Sequence, residues 1–393
     1  MATDIILVDP RDTHDNLLPL TYTRPVSDLR VGIFTIDQRW RMACPHANFY
    51  WQTVDYLRSK YPARPNNITD SETIYVRGDI IPSAELVRVA LDLQPGQAVF
   101  GEDSAPVAWR GGASNAPSIQ LKEQTHCLSF LYDIFGINGE VLRKDFETIT
   151  AGRTSAPLSD TVTVIGRRED IFVEDDAEFV EGCTLNTMHG PIYIGHNATV
   201  MEGSCLRGPV AVCDHAVVNM GARIYGDTTI GPWCKVGGEL NNVVMHSYSN
   251  KAHDGFLGNA VIGQWCNIGG GCSASNLKND YTEIKLWNYP RRRFLRTGLQ
   301  FCGLIMADFC KAGVNTMLNT ATVLGVGVNI HGSGFPRPFL ASFLEGSPQG
   351  YTEVTMQRFF DTASKMMARR GIELTQTDID ILNSVRQIAE NYR

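Results

Sequence analysis

The segment Lys251–Tyr281, KAHDGFLGNAVIGQWCNIGGGCSASNLKNDY, concentrates residue types that can do chemistry. A histidine titrates near neutrality and can serve as a general base, and His253 is such a residue. Asp254 follows it, a carboxylate able to orient or polarise an imidazole. His246 competes for the same role. In the run Asn267–Cys272, Gly269, Gly270 and Gly271 leave the backbone open to close approach. Much earlier, IYVRGDI (Ile74–Ile80) reads as a strand running into Gly-Asp. Its Asp79 is a strand-end carboxylate, an oxygen ligand of the kind a divalent cation takes.

These residues need a scaffold, and a repeat supplies it. From Ile194 the chain divides by six without a gap: IGHNAT, VMEGSC, LRGPVA, VCDHAV, VNMGAR, IYGDTT, IGPWCK, VGGELN. Each block opens with an aliphatic residue, and small residues recur at the fifth position. A helix cannot use that period, because successive apolar positions would rotate around its axis. Short strands with a turn in every block can, winding a triangular coil with the opening aliphatics inside. This is the hexapeptide parallel β-helix, with roughly nine coils from Ile165 onward. The pattern is looser over VEDDAE and FVEGCT, breaks at Met188–Tyr193, and resumes at Ile262, at Ile268 and around Ala321–Gly334. Two segments read as insertions between coils, Asn242–Phe256 and Ser275–Arg296, and His253 falls in the first.

The N-terminal part has no hexads. IILVD (Ile5–Asp9) and IYVRGDI read as strands and Ile36–Met42 as a helix, which suggests an α/β sheet with its active edge at the strand C-termini. ITAGRTSAP marks a boundary near Thr150–Pro157. The expected division is an α/β domain over residues 1–155, the β-helix over 156–345 and a helical segment over 346–393. In the last, Thr352–Arg370 and Thr377–Tyr392 read as helices, with Gly371 as a stop.

Composition narrows the partners. The formal charge is −7, so a nucleic acid is not the expected partner. No apolar run is long enough to span a bilayer, so no membrane is expected. The start MATDIILVDPRD lacks the basic and apolar regions of an export signal, which points to the cytoplasm. The ten cysteines form no C-x-x-C pair and read as small buried hydrophobes in a reducing compartment.

The stretch Lys251–Tyr281 and the N-terminal PLTYTRPVSDLRVG (Pro19–Gly32) resemble the bifunctional enzymes that make UDP-N-acetylglucosamine. Those join a sugar-1-phosphate nucleotidyltransferase, an α/β domain, to a glucosamine-1-phosphate N-acetyltransferase built on a left-handed β-helix. A divergent bifunctional group with the T-R-P-V-S-D-L-R start resembles the whole chain. The resemblance implies acetyl-CoA as co-substrate, Mg2+ as cofactor, a nucleoside triphosphate and a sugar-1-phosphate as partners, and a homotrimer. It makes His253 the general base. It assigns coenzyme A to Asn267, Gly269, Gly270, Gly271 and Cys272, and the sugar phosphate to Arg207, Arg223, Asn241, Lys251, Phe256 and Asn276. In the first domain it makes Asp79 and Asn138 the metal ligands, with Arg11 at the triphosphate and Arg24 and Arg30 as catalytic cations.

The chain departs from that family in places. Asn241 stands for a lysine, Phe256 for a tyrosine, Cys272 for a threonine and Val26 for the lysine after proline. VDPRDTHDNLLPL replaces the glycine-rich phosphate loop. Two alternatives therefore stand beside the bifunctional reading: one active domain, either a sugar acetyltransferase or a nucleotidyltransferase for another sugar-1-phosphate, or a non-catalytic scaffold or sensor.

Overall fold

A computed structural model describes residues 3–66, 70–102, 105–112 and 118–393. It separates into two compact units. The first comprises residues 1–29, 34–133 and 376–384; the second comprises 30–33, 134–375 and 385–393. The helix Asn138–Thr150, which falls inside the 1–155 span expected for the α/β domain, is thus grouped with the second unit, as is Arg30.

The first unit is built on a six-stranded sheet in the order Asn48–Gln52, Asp4–Val8, Thr73–Arg77, Pro106–Arg110, Ala98–Phe100, Ser118–Gln120. The first three strands are parallel. The apolar run Ile5–Leu7 is buried on both sides, as a central parallel strand requires. The helix Ile36–Ala43 begins at Thr35, whose hydroxyl caps the Gln38 N–H while the Gln38 side chain caps Thr35 in return. The three parallel strands run toward one edge, where Asp9, Thr53 and Asp79 follow them.

The second unit is a parallel β-solenoid of the left-handed β-helix class, followed by a helix. One face stacks parallel strands from Phe179–Val180 to Leu344–Ser347 and closes with the antiparallel Gly350–Glu353. The aliphatics that open each hexad stack inside: Ile194, Val200, Leu206, Val212, Val218, Ile224, Ile230 and Val236 are all buried. Val212 pairs with Ile230, eighteen residues on, so the repeat keeps full coils to that point.

The register then changes, and one expectation is corrected. Asn242–Phe256 is not an insertion. Glu239–Ser247, Asn250–Lys251 and Phe256–Gln264 are strands of consecutive coils. The coils are shortened instead: Ile224 pairs with Leu240, sixteen residues on, and Val236 with Lys251, fifteen on. Interior positions continue through Leu240, Met245, Lys251, Leu257, Ile262 and Ile268, all buried. Corners that lose one or two residues erase a period of six without interrupting the stack.

The second expected insertion is real. Ala274 pairs with Leu318, and between them the chain leaves the solenoid in a hairpin, Lys285–Asn288 against Arg293–Arg296. Trp287 stacks on Phe339 at 4.2 Å between ring centroids, holding the excursion against the later coils. The helix Met356–Ala368 is capped by Thr355 and buries Phe359, Ala363 and Met367. It starts later than its pattern suggests because Gly350–Glu353 is taken up in the sheet. Gln376–Ala389 is the final helix. Among the described residues, no helix is long and apolar enough to cross a membrane.

Candidate functional site

His253 stands at a coil corner, between the strand Asn250–Lys251 on one solenoid face and Phe256–Gln264 on the next. Its side chain is exposed. The corner above it is Gly269–Gly271. A Cβ built on Gly270 would lie 3.4 Å from the His253 Cβ and 3.6 Å from its Cγ, so the bare glycine leaves room beside the imidazole. The corner below is Gly237–Gly238; a Cβ on Gly238 would lie 2.9 Å from the His253 carbonyl oxygen. The His253 corner is therefore stacked between two corners of bare backbone, its imidazole beside Gly270 and its main chain over Gly238. The coils are locked there by Gly271 N–H donating to the Asp254 carbonyl at 2.9 Å, and by Asn219 donating to the Ala252 carbonyl at 2.8 Å.

Lys251 is not on the surface where a phosphate would meet it. It occupies an interior position, 2% exposed, in register with Val236. Its ammonium donates to the carbonyls of Gly237 at 2.9 Å and His253 at 2.7 Å. Burial pushes this group down to about 8. Its geometry is that of a positioning residue for the corner. Cys272 is corrected likewise: it is buried in the stack and its thiol donates to the Gly313 carbonyl at 2.9 Å, out of a ligand's reach. Asn267 is exposed on the solenoid face beside the corner. His246 is buried beside Ser247 and Gln264, so it is no open competitor to His253.

Arg207, Arg223, Asn241 and Phe256 share the outer side of one solenoid face. Arg223 pairs with Glu239 and Glu239 with Phe256 along one row. Asn241, exposed, pairs with Gly258 in the next row. Gly258 has no side chain because Phe256 and Asn276 fill the space over it: its Cβ would lie 2.6 Å from the Phe256 Cζ and the Asn276 Nδ2. Asn276 is held there by donating to the Asn259 Oδ1 at 2.7 Å. Arg207 lies over the Tyr225 ring, 5.7 Å from its centroid. Arg223 is 3.4 Å from the Glu239 carboxylate, which offsets part of its charge. The face thus offers an exposed guanidinium, amides and an aromatic ring beside the His253 corner. Gly238 and Tyr225 went unremarked in the sequence, where both sat inside the hexad pattern.

The strand edge of the first unit is different. Asp79 is fully buried. Arg77 reaches both its oxygens, Nε to Oδ1 at 2.9 Å and a terminal nitrogen to Oδ2 at 2.7 Å, and Thr13 donates to Oδ2 at 2.9 Å. Next to it Asp9 accepts from Thr53 at 2.6 Å and from the Val26 N–H at 3.0 Å, and lies 2.7 Å from His14 Nδ1. This buried Asp9–His14–Thr53 network was signalled only by an aspartate closing the first strand. Arg11 is exposed and bound to Asp15, whereas Arg24 is buried.

Asn138 and Arg30 belong to the second unit. The Asn138 amide accepts from the Gly32 N–H at 2.6 Å and donates to the Asp227 carbonyl at 2.8 Å. Arg30 is buried, with its guanidinium donating to the carbonyls of His246 and Ile33. Both side chains are committed to structure. A Mg2+ ion needs oxygen ligands free to turn toward it. Asp79 is neutralised by a guanidinium and Asn138 is spent on backbone groups, so the pair does not fit the ion. Among the described residues, one group of three potential ligands lies within a common reach, Glu174, Asp175 and His196 on the solenoid, and there Glu174 is ion-paired with Arg153.

Residues 5–154 match the family described as Sugar nucleotidyl transferase. No curated protein matches the chain. Among solved structures, the polysialic acid O-acetyltransferase OatWY is 13% identical, covers 49% of this chain and 88% of its own, and has a TM-score of 0.27. A mutant of AntD, an N-acyltransferase from Bacillus cereus in complex with dTDP-4-amino-4,6-dideoxyglucose and coenzyme A, is 11% identical over 49% of this chain and 81% of its own, with a TM-score of 0.22. UDP-N-acetylglucosamine acyltransferase of Francisella novicida is 14% identical over 58% and 78%, with a TM-score of 0.21. TM-scores this low carry no argument about activity. The family match sets the class of chemistry as group transfer: the protein is a transferase.

Proposed function

We propose that the chain couples two transfers that yield UDP-N-acetylglucosamine: acetylation of glucosamine-1-phosphate at the His253 corner, and nucleotidyl transfer from UTP to the acetylated sugar phosphate in the first unit. The carrying observation is the exposed His253 imidazole beside the bare backbone of Gly270. An amine must shed a proton as it attacks the acyl carbonyl. His253 takes that proton and returns it to the thiolate that departs when the C–S bond breaks. Gly269–Gly271 let the acyl donor approach the backbone, while Arg207, Asn241 and Asn276 hold the sugar phosphate on the adjoining face. The enzyme works as a homotrimer in the cytoplasm, and light scattering at the mass of one chain, 43.5 kDa, would count against a site shared between subunits.

The two half-reactions are assayed apart: thiol release from acetyl-CoA with glucosamine-1-phosphate, and pyrophosphate release from UTP or dTTP with N-acetylglucosamine-1-phosphate. Absence of thiol release across a panel of amino-sugar phosphates sinks the acetyl half. A second reading, in which only the solenoid is active, is favoured by the burial of Asp79 against Arg77. Thiol release without pyrophosphate release would select it.

A further inference from the structure

On the solenoid face that carries Asn250–Lys251, an outward column runs Lys235, Asn250, Asn267, Lys311, each in register with the next. At about 4.8 Å per strand, the two lysines stand roughly 14 Å apart with two amides between them. The end of helix Met356–Ala368 and the residues after it cover this column. Between them lies a cavity of about 680 Å3, to which the helical side contributes Lys365, Arg369 and Arg370. That size lies within the usual range of small-molecule sites.

Five cations line this cavity and no carboxylate does. The chain as a whole has 42 acids against 35 bases, so the concentration runs against its composition. Among the described residues none of the five is ion-paired. The partners they have are neutral: Arg370 donates to the Asn250 amide oxygen at 3.2 Å, and Lys311 lies 3.4 Å from the Phe309 carbonyl. Burial pushes the Lys311 ammonium down, the mark of a cation held without a counter-charge. Like charges gathered this way repel unless an anion joins them.

The same cavity has an aromatic wall. Tyr248 and Trp265 line it and stack on each other at 4.4 Å between centroids, with planes 12° apart. Both sit at coil corners in the left-handed region, with φ of 56° and 60°. With the ring faces turned to one another, this wall offers ring edges beside the cations, against which a flat heterocycle can pack edge-to-face.

We propose that this cavity binds a nucleotide: an aromatic base carrying two or more phosphate groups. The inference stands on the cavity alone and does not depend on the reaction proposed for the His253 corner. Two sources share this chemistry, the phosphorylated adenosine part of coenzyme A and a free nucleoside triphosphate.

Titration calorimetry on the full chain with coenzyme A, ATP, UTP and pyrophosphate tests it, the binding read being the part lost in the triple variant Lys365→Ala/Arg369→Ala/Arg370→Ala. These residues lie at the end of the helix, and an unchanged melting temperature verifies that the variant folds. Loss of nucleotide affinity by tenfold or more, together with weakening at high salt, supports the site. A loss confined to coenzyme A assigns it to that carrier, and a loss confined to ATP or UTP assigns it to a free nucleotide. Nucleotide affinity unchanged in the variant, or pyrophosphate bound as tightly as the nucleotides, overturns the proposal.

Discussion

The Lys251 ammonium donates to the backbone carbonyl of His253 at 2.7 Å and to that of Gly237 at 2.9 Å. It does so from an interior position that is aliphatic in the coil before it, at Val236, and in the coil after it, at Ile268. A cation there costs desolvation that an aliphatic side chain would not. What it gains is a tie between two successive corners, one of which presents the histidine.

Replacing Lys251 by methionine keeps the volume and removes the tie. Acetyl transfer is expected to fall mainly in kcat, because the corner loses its fixed geometry while the sugar-binding face is untouched. The stability difference should also depend on pH. The lysine titrates at about 8 in the folded chain and at 10.5 in the unfolded one. Between those values the unfolded chain binds more protons, so wild-type stability gains as pH rises, and Lys251→Met lacks that gain. The wild-type melting temperature minus that of the variant should therefore increase from pH 7 to pH 10. A difference that stays flat would mean the ammonium is solvated.

His253→Ala should lower acetyl transfer by about 10²–10⁴, the range for loss of a general base. Its melting temperature should stay close to wild type, because the side chain is exposed. His246→Ala is the instructive comparison. That residue is buried in the stack, so its loss should lower the melting temperature and reduce activity only in proportion to unfolding. Equal activity losses per folded molecule would remove His253 from the role of base.

Glycines around the corner should separate by function. The atoms nearest a Cβ on Gly270 belong to the His253 side chain, none nearer than 3.4 Å, and a larger residue there would crowd the imidazole. Gly270→Val is expected to fold and to slow acetyl transfer. A Cβ on Gly255 would lie 1.9 Å from the Cys272 carbonyl oxygen at a φ of +123°, so Gly255→Ala should fail to fold or melt far below wild type. Thermal melts of both variants with a rate measurement on Gly270→Val make the test. A fully active Gly270→Val would mean the space beside the imidazole is not used.

The architecture was legible because a solenoid writes its interior into the sequence at a constant interval. The shortened coils were not, since the loss of two residues between Val236 and Leu240 looks, on paper, like a loop beginning. That one misreading moved Lys251 from the interior to the surface and left His246 standing as a competitor to His253. The excursion after Ala274 was legible because it has no aliphatic spacing at all. At the strand edge the sequence located Asp79, but not that Arg77, two residues before it, turns back to fill both of its oxygens. Such a pairing depends on rotamers and on Thr13 from a distant segment, which no local pattern encodes.

That pairing yields the last prediction. Asp79 is fully buried and Arg77 nearly so, its side chain 16% exposed. Removing one partner of a buried pair leaves the other charge uncompensated, at about 3–5 kcal/mol. Asp79→Ala should therefore lower the stability of the first unit, quite apart from any effect on pyrophosphate release, and Thr13 loses its acceptor as well. The pair can be removed together: Asp79→Leu with Arg77→Met replaces two charges by apolar groups and should recover most of the lost stability. Melting curves of the single and double variants separate the roles. A single variant as stable as wild type that loses only pyrophosphate release would show a carboxylate serving the reaction, with Arg77 displaced when substrate binds. A destabilised single variant rescued by the double would show a carboxylate serving the fold.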